Sequence, residues 1–314
     1  MTAASEDGTA SPLADLRARL ATVVAIPVTP FTPAGDVDWD GHASVIRRLV
    51  DDGVQAVTPN GNTGEFYALS PAEARQALET AAKAASGRAE EVELLAGVGH
   101  DIATAIETAR HAQDHGARMI MIHQPVHPYV SAEGWIDYHA AIANAVPDLG
   151  IVLYIRDERR TGHDIVQLVE RSPNVIGVKY GVRDATRFAA VARDAGLHRL
   201  TWLAGAAELT APAFWAVGAR GFTSGLANVS PALALGMLEA LRENDFQAAM
   251  QSWESARQFE ELRLANASAD NVSVVKEALA QLGLCRADVR PPSRSLPADI
   301  KNQISGILAS WGMR

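Results

Sequence analysis

The sequence predicts an α/β fold: a (β/α)8 TIM barrel with additional C-terminal helices. Three observations carry this. Short apolar runs of strand length recur eight times, and a segment of helical character follows each. The eight units occupy roughly two hundred residues, which suits a closed barrel with short connections. The turn after the first strand has no G-x-G-x-x-G phosphate loop, which counts against the runner-up, an open doubly wound sheet.

In chain order, residues 1–11 read as a polar tail, disordered at its start, and residues 13–20 as a short helix. Residues 22–28 form the first strand, closed by the Pro30, Pro33 and Gly35 turn cluster. Asp38 or Asp40 caps a helix with His42, Val45, Ile46, Leu49 and Val50 along one stripe, and Gly53 stops it. Residues 54–58 are the second strand, which runs into a polar, glycine-rich loop over 59–66. Ser70-Pro-Ala-Glu73 is a helix start: Ser70 caps, Pro71 takes the first helical position and Glu73 completes a capping box. Strands then follow at 92–98, 117–122, 150–155, 175–179, 200–204 and 219–223. Helices begin after Asp101, around Trp135, near Asp164 and Asp184, run through Phe214, and start again at Ser230-Pro231. Residues 246–264, 272–282 and 299–308 read as added helices, with Pro291-Pro292 as a turn among them. The expected organisation is a tail and short helix over 1–20, a barrel over 21–243 and a helical extension over 244–314.

Composition excludes several function classes. A formal charge of −9 argues against a nucleic-acid partner and against an anionic membrane surface. The one cysteine, Cys285, permits neither an internal disulfide framework nor a Cys-rich zinc site. No apolar run is long enough for a transmembrane helix, and the first twenty residues lack the pattern of a signal peptide. The expected compartment is the cytoplasm.

Lysine is rare: Lys83, Lys179, Lys276 and Lys301 stand among 28 basic residues. Lys83, Lys276 and Lys301 fall where solvated ammonium groups are expected. Lys179 instead ends the β-branched run Val175-Ile-Gly-Val-Lys179, and strand alternation puts Val175, Gly177 and Lys179 on one face. Desolvation there lowers the pKa, and a neutral amine is a nucleophile for carbonyl carbon. A strand-end lysine can also simply snorkel to solvent, so its neighbours must decide. In a barrel the strand ends converge on one mouth. They bring Gly61, Asn62, Thr63 and Glu65, then His123 to Tyr129, Tyr154 with Arg156, Gly205, and Ser224 with Asn228. Tyr154 continues the face of Gly150 and Val152 one strand before Lys179. A phenol beside an amine suits proton transfer, though a barrel tyrosine can serve packing alone. The Gly61-Asn-Thr-Gly-Glu65 loop offers backbone amides and a hydroxyl to a carboxylate, or is a plain turn. Of Arg156, Arg159 and Arg160, one can bind a substrate carboxylate while the others are solvated. His123, His127 and His139 have no carboxylate at ligand spacing, so no metal is expected.

These motifs resemble the dihydrodipicolinate synthase/N-acetylneuraminate lyase family of class I Schiff-base lyases. The matching pieces, in family order, are Pro27-Val-Thr-Pro-Phe31, Gly61-Asn-Thr-Gly-Glu-Phe66, Gly97-Val-Gly99, Leu153-Tyr154, Val175-Ile-Gly-Val-Lys179 and Gly225-Leu-Ala-Asn-Val229. The resemblance implies that Lys179 forms an imine with a 2-keto acid, with no other cofactor. It implies that Tyr154 shuttles protons and that Asn62 and Thr63 hold the keto-acid carboxylate. It also implies a homotetramer or dimer. Dihydrodipicolinate synthases carry two adjacent threonines after strand two, where this chain has Asn62 first. They carry a relay tyrosine after strand four, where His127 falls in Gln124-Pro-Val-His-Pro-Tyr129. Tyr154-Ile-Arg-Asp157, Lys179-Tyr-Gly-Val-Arg-Asp184, Gly205-Ala-Ala-Glu208 and Ser273-Val-Val-Lys276 look more like the 5-dehydro-4-deoxyglucarate dehydratases. Asn62 and Tyr180 match neither subgroup.

The expected function is a Schiff-base lyase acting on a sugar-derived 2-keto acid by dehydration, decarboxylation or aldol cleavage. Lys179 is the expected nucleophile, Tyr154 the acid/base and Thr63 the carboxylate holder. Gly61, Asn62, His127, Arg156, Gly205 and Ser224 are the expected substrate contacts. The alternative is a dihydrodipicolinate synthase that condenses pyruvate with aspartate semialdehyde. A keto-acid sensor without turnover and a metal-dependent barrel enzyme are the weaker readings.

Overall fold

The computed structural model describes residues 12–313. The reading of residues 1–11 as a tail lies outside the described residues. In chain order the helices are α1 Pro12–Leu20, α2 Trp39–Asp51, α3 Pro71–Ala85, α4 Ile102–Asp114, α5 Ala132–Asn144 and α6 Gly162–Arg171. They continue as α7 Ala185–Asp194, α8 Ala211–Val217, α9 Pro231–Arg242, α10 Phe246–Ser268, α11 Asn271–Gln281 and α12 Ala298–Ser310. The strands are β1 Val23–Ala25, β2 Ala56–Val57, β3 Glu93–Val98, β4 Met119–Ile122, β5 Gly150–Ile155, β6 Val175–Tyr180, β7 Thr201–Ala204 and β8 Gly221–Ser224. They pair in sequence order, all parallel, and β8 closes on β1, so the fold is a (β/α)8 barrel.

Local chemistry explains most element boundaries. Asp38, rather than Asp40, caps α2 by accepting from the Gly41 N–H, and all five predicted stripe residues are buried. The capping box at Ser70 and Glu73 forms as expected. A second one, Thr161 with Asp164, starts α6. Asp101 and Asp184 cap α4 and α7. Ser230 precedes α9 but makes no side-chain cap. Proline's preset φ at the first position is signal enough there.

The strand interior holds Val24, Leu95, Met119, Met121, Val152 and Leu203 in one cluster. Leu16 and Leu20 of α1 join it. A Cβ on Gly150 or Gly177 would run into Ile176 and Leu20, respectively. α1 therefore closes the N-terminal end of the barrel, opposite the strand ends that carry the site residues. A larger cluster fills the layer between strands and helices.

Strand β6 departs from simple alternation. Ile151 pairs with Val175, but Val152 pairs with Gly177, so one residue is inserted on β6. Val175 consequently joins the outer cluster while Ile176 faces the interior. The expected common face of Val175 and Lys179 is corrected by this bulge. Past it the phase recovers, and Lys179 sits directly opposite Tyr154.

The backbone leaves helical geometry at Ala265–Ala267, close to the end that residues 246–264 predict. Asn266, Ala267 and Ser268 all have positive φ. Among the described residues no helix is long and apolar enough to cross a membrane.

Candidate active site

A cavity of about 320 Å³ opens at the C-terminal ends of the strands. Lys179 is 2 % exposed, and its Nζ lies 4.0 Å from the centroid of the Tyr154 ring. Burial lowers the Lys179 pKa to about 7, helped by the positive charges of Arg156 and Arg263. At neutral pH a large share of this amine is therefore unprotonated. Burial raises the Tyr154 pKa, so its phenol keeps its proton and can donate it. The Asn62 side-chain amide approaches the Tyr154 hydroxyl at 3.4 Å. A Cβ on Gly181 would press on the Tyr154 ring and on Arg156, so glycine leaves these two side chains room.

The loop after β2 tightens into a short 3-10 turn, Asn62–Gly64. Its own bonds use the Gly64 and Glu65 amides, which donate to the Gly61 and Asn62 carbonyls. The amides of Asn62 and Thr63, which open the turn, are not used by these bonds. Asn60 and Glu65 flank the turn with φ of 62° and 59°, a strained region for non-glycine residues. Packing holds this geometry. Asn60 donates to the Ala74 carbonyl, Thr29 to the Gly64 carbonyl, and His123 Nε2 meets the Asn60 carbonyl at 2.8 Å. A Cβ on Gly61 would strike Ile26.

The structure brings Asn62, Thr63, Tyr154, Arg156, Lys179 and Gly205 to this one cavity. It also separates the three arginines after β5. Arg156 lines the cavity, Arg159 pairs with Asp157 on the surface, and Arg160 is buried beside Asp157 and Asp164. With its amide turned, Gln124 accepts from the Arg156 and Asp157 N–H groups and fixes this loop.

Three expected contacts do not line the cavity, and the first, Gly61, faces Ile26 and Thr58 instead. His127 is exposed and meets the backbone of Tyr129. Ser224 is wholly buried, donates to Glu208 at 2.5 Å and accepts from the Ala227 N–H. Its neighbour Thr223 lines the cavity instead, because Phe222 packs into the outer layer and sets the phase of β8. Burial and the nearby Glu260 push the Glu208 carboxyl well above the usual carboxylate range, which favours its protonated form. Gly205 is glycine for a packing reason as well, since a Cβ would meet the Tyr180 backbone at 2.7 Å.

The histidines serve structure. His123 stacks on Phe66 at 4.3 Å, His139 bonds the Trp135 carbonyl within α5, and burial keeps both neutral. Among the described residues one group, Glu79 with His111 and His115, has ligand atoms close enough for a metal, and none of them lines the cavity. Tyr180 is an outer-layer residue packed on Phe188 and Phe214.

The sequence reading missed Arg183, Glu260, Arg263 and Asn271 as lining residues. Arg263 is nearly buried, pairs with Glu260 and donates to Asn271. Its guanidinium lies against Gly225, where a Cβ would have to displace it. The one available signal was the stretch of small residues between the α10 and α11 patterns.

Fold and site together define a barrel enzyme with a desolvated lysine at its catalytic face. A sequence model of the dihydrodipicolinate synthetase family matches residues 19–310, and the chain belongs to that family. The probable 5-dehydro-4-deoxyglucarate dehydratase of Streptomyces griseus is 32% identical over 310 residues, covering 96% of this chain and 95% of that protein. The crystal structure of dihydrodipicolinate synthase from Bacillus clausii is 39% identical with a TM-score of 0.90, covering 95% of this chain and all of that one (100%). The chloride-inhibited dihydrodipicolinate synthase from Acinetobacter baumannii, solved with pyruvate, is 26% identical with a TM-score of 0.85, covering 93% and 99% of the two chains.

Proposed function

We propose that this chain is an imine-forming lyase that dehydrates a sugar-derived 2-keto acid, in the manner of a 5-dehydro-4-deoxyglucarate dehydratase. The observation that carries the reading is the Lys179 amine, buried beside the Tyr154 ring in a cavity lined by arginines. The neutral amine adds to the keto carbon, and water leaves as the imine forms. The cationic imine acidifies the neighbouring C–H. Loss of that proton gives an enamine, which expels the β-hydroxyl as that oxygen takes up a proton and departs as water. Tyr154 is the group in reach to carry these protons. The Asn62 and Thr63 amides and the Thr63 hydroxyl receive the first carboxylate, and Arg156 meets the far end of the substrate. The lysine imine takes the place of an external cofactor. Homotetramer or dimer formation remains part of the proposal, and Tyr129, 85% exposed beside Val126, is apolar surface of the kind a second copy covers.

The condensing synthase is the second reading, favoured by the similarity to the dihydrodipicolinate synthase of Bacillus clausii. Asn62 and His127 stand against it, because neither supplies the hydroxyl of that proton relay. The test is a substrate comparison with EDTA present. The proposal expects turnover of 5-dehydro-4-deoxyglucarate and none of pyruvate with aspartate semialdehyde. The opposite result selects the synthase, and loss of activity in EDTA argues for a metal.

A further inference from the structure

Lys276 is expected in the sequence to be solvated, yet the structure buries it completely. Its Nζ lies 2.5 Å from Glu65 Oε1, donates to the Asp288 carbonyl at 2.8 Å and sits 3.9 Å from the centroid of the Phe31 ring. The other carboxylate oxygen of Glu65 accepts from the Arg290 N–H at 3.1 Å. Both oxygens of this one carboxylate are thus held by residues that follow the barrel. The Arg290 guanidinium fastens the same region again, to Glu73 at 2.6 Å and to the Gly35 carbonyl at 2.7 Å.

Glu65 is no incidental partner. It is the left-handed residue that closes the Asn62–Gly64 turn, and its amide donates to the Asn62 carbonyl. Asn62 in turn approaches Tyr154, which pairs with Lys179 across the strands. A buried ion pair is a poor device for stability alone, because desolvating both charges offsets their attraction. Its better use is to select one arrangement among several.

We infer that Lys276 and Glu65 are positioning residues: their buried ion pair lets α11 hold the Asn62–Thr63 turn in the shape that receives the keto-acid carboxylate. The inference rests on the imine-forming reading above. It makes the helical extension a working part of the site and not only a cover.

The experiment compares wild type, Lys276→Met and the double variant Lys276→Met/Glu65→Gln. Each is reduced with borohydride across a pyruvate series, and each is melted thermally. Absence of adduct in wild type overturns the imine reading, and this inference with it. With wild type labelled, the pyruvate concentration for half-maximal trapping should rise roughly ten- to a hundredfold in Lys276→Met. The pH midpoint of trapping should stay in place, since Lys179 keeps its own surroundings. The double variant leaves no unpaired buried charge, so it should regain thermal stability while keeping the raised half-saturation. A structural role alone would lower the melting temperature and leave half-saturation at the wild-type value. That value in folded Lys276→Met, or in the double variant, overturns the inference. Should Lys276→Met fail to fold, the double variant decides by the same measure.

Discussion

Lys179 trades stability for reactivity. Its pKa falls from the ordinary lysine value of 10.5 to about 7 on burial, so the folded chain binds fewer protons than the unfolded one between those values. The sign follows: this lysine destabilises the fold most below pH 7, and the penalty is relieved as pH rises toward 10.5. Lys179→Met should therefore melt higher than wild type at pH 6, and the gap should narrow toward pH 10. Calorimetric melts across that range check it. The same group sets a kinetic limb: kcat/KM should climb with pH and level off above about 7. Tyr154→Phe should lower kcat roughly 10²- to 10⁴-fold while leaving the melting temperature near wild type, read by steady-state assays beside melts. Lys179 was legible because a cation ends an apolar strand. Lys276 was not, because α11 is buried on nearly every side and shows no polar stripe to place its lysine. Ser224 missed the cavity by one residue, a phase that only the packing of Phe222 reveals.

At the scale of elements, the helix starts were the most legible features. Caps are local chemistry, so Asp101, Ser70 and Asp184 announce themselves within four residues. Ser70→Ala should cost about 1 kcal/mol in urea denaturation. The strand ends were less legible, since the bulge in β6 depends on contact with β5 and not on the sequence of either strand. The turn after β2 makes a sharper claim. A Cβ on Gly97 would lie 2.2 Å from the Asn60 carbonyl oxygen and 2.9 Å from His123 Nε2, whereas one on Gly87 would meet nothing. Gly97→Ala should lose roughly 1–3 kcal/mol in the same measurement, and Gly87→Ala should lose little or none. Gly97→Ala should also weaken trapping by pyruvate, because the displaced backbone leads into the Asn62–Thr63 turn.

For the whole molecule, the barrel was readable from its eight repeats, while the completed site was not. The strand ends supply the nucleophile and its neighbours. The last turns of α10 before its break supply Glu260 and Arg263, and α11 reaches the β2 loop through Lys276. No periodicity in one segment reports a contact made with another so distant in the chain. The buried histidines give the fold its acid limit. His42, His123 and His139 are held neutral by burial, with His123 down to about 3 and His139 to about 4. Unfolded histidine titrates near 6.5, so stability should fall steadily as pH drops from about 6.5 toward 3. Urea midpoints across that interval measure the loss.

The central claim is that Lys179 forms an imine with a 2-keto acid. Borohydride reduction in the presence of pyruvate, followed by peptide mass mapping, tests it most directly. The account predicts one covalent adduct per chain, on the peptide that contains Lys179, and none in Lys179→Met. No adduct, or equal labelling of Lys83 and Lys276, would contradict it.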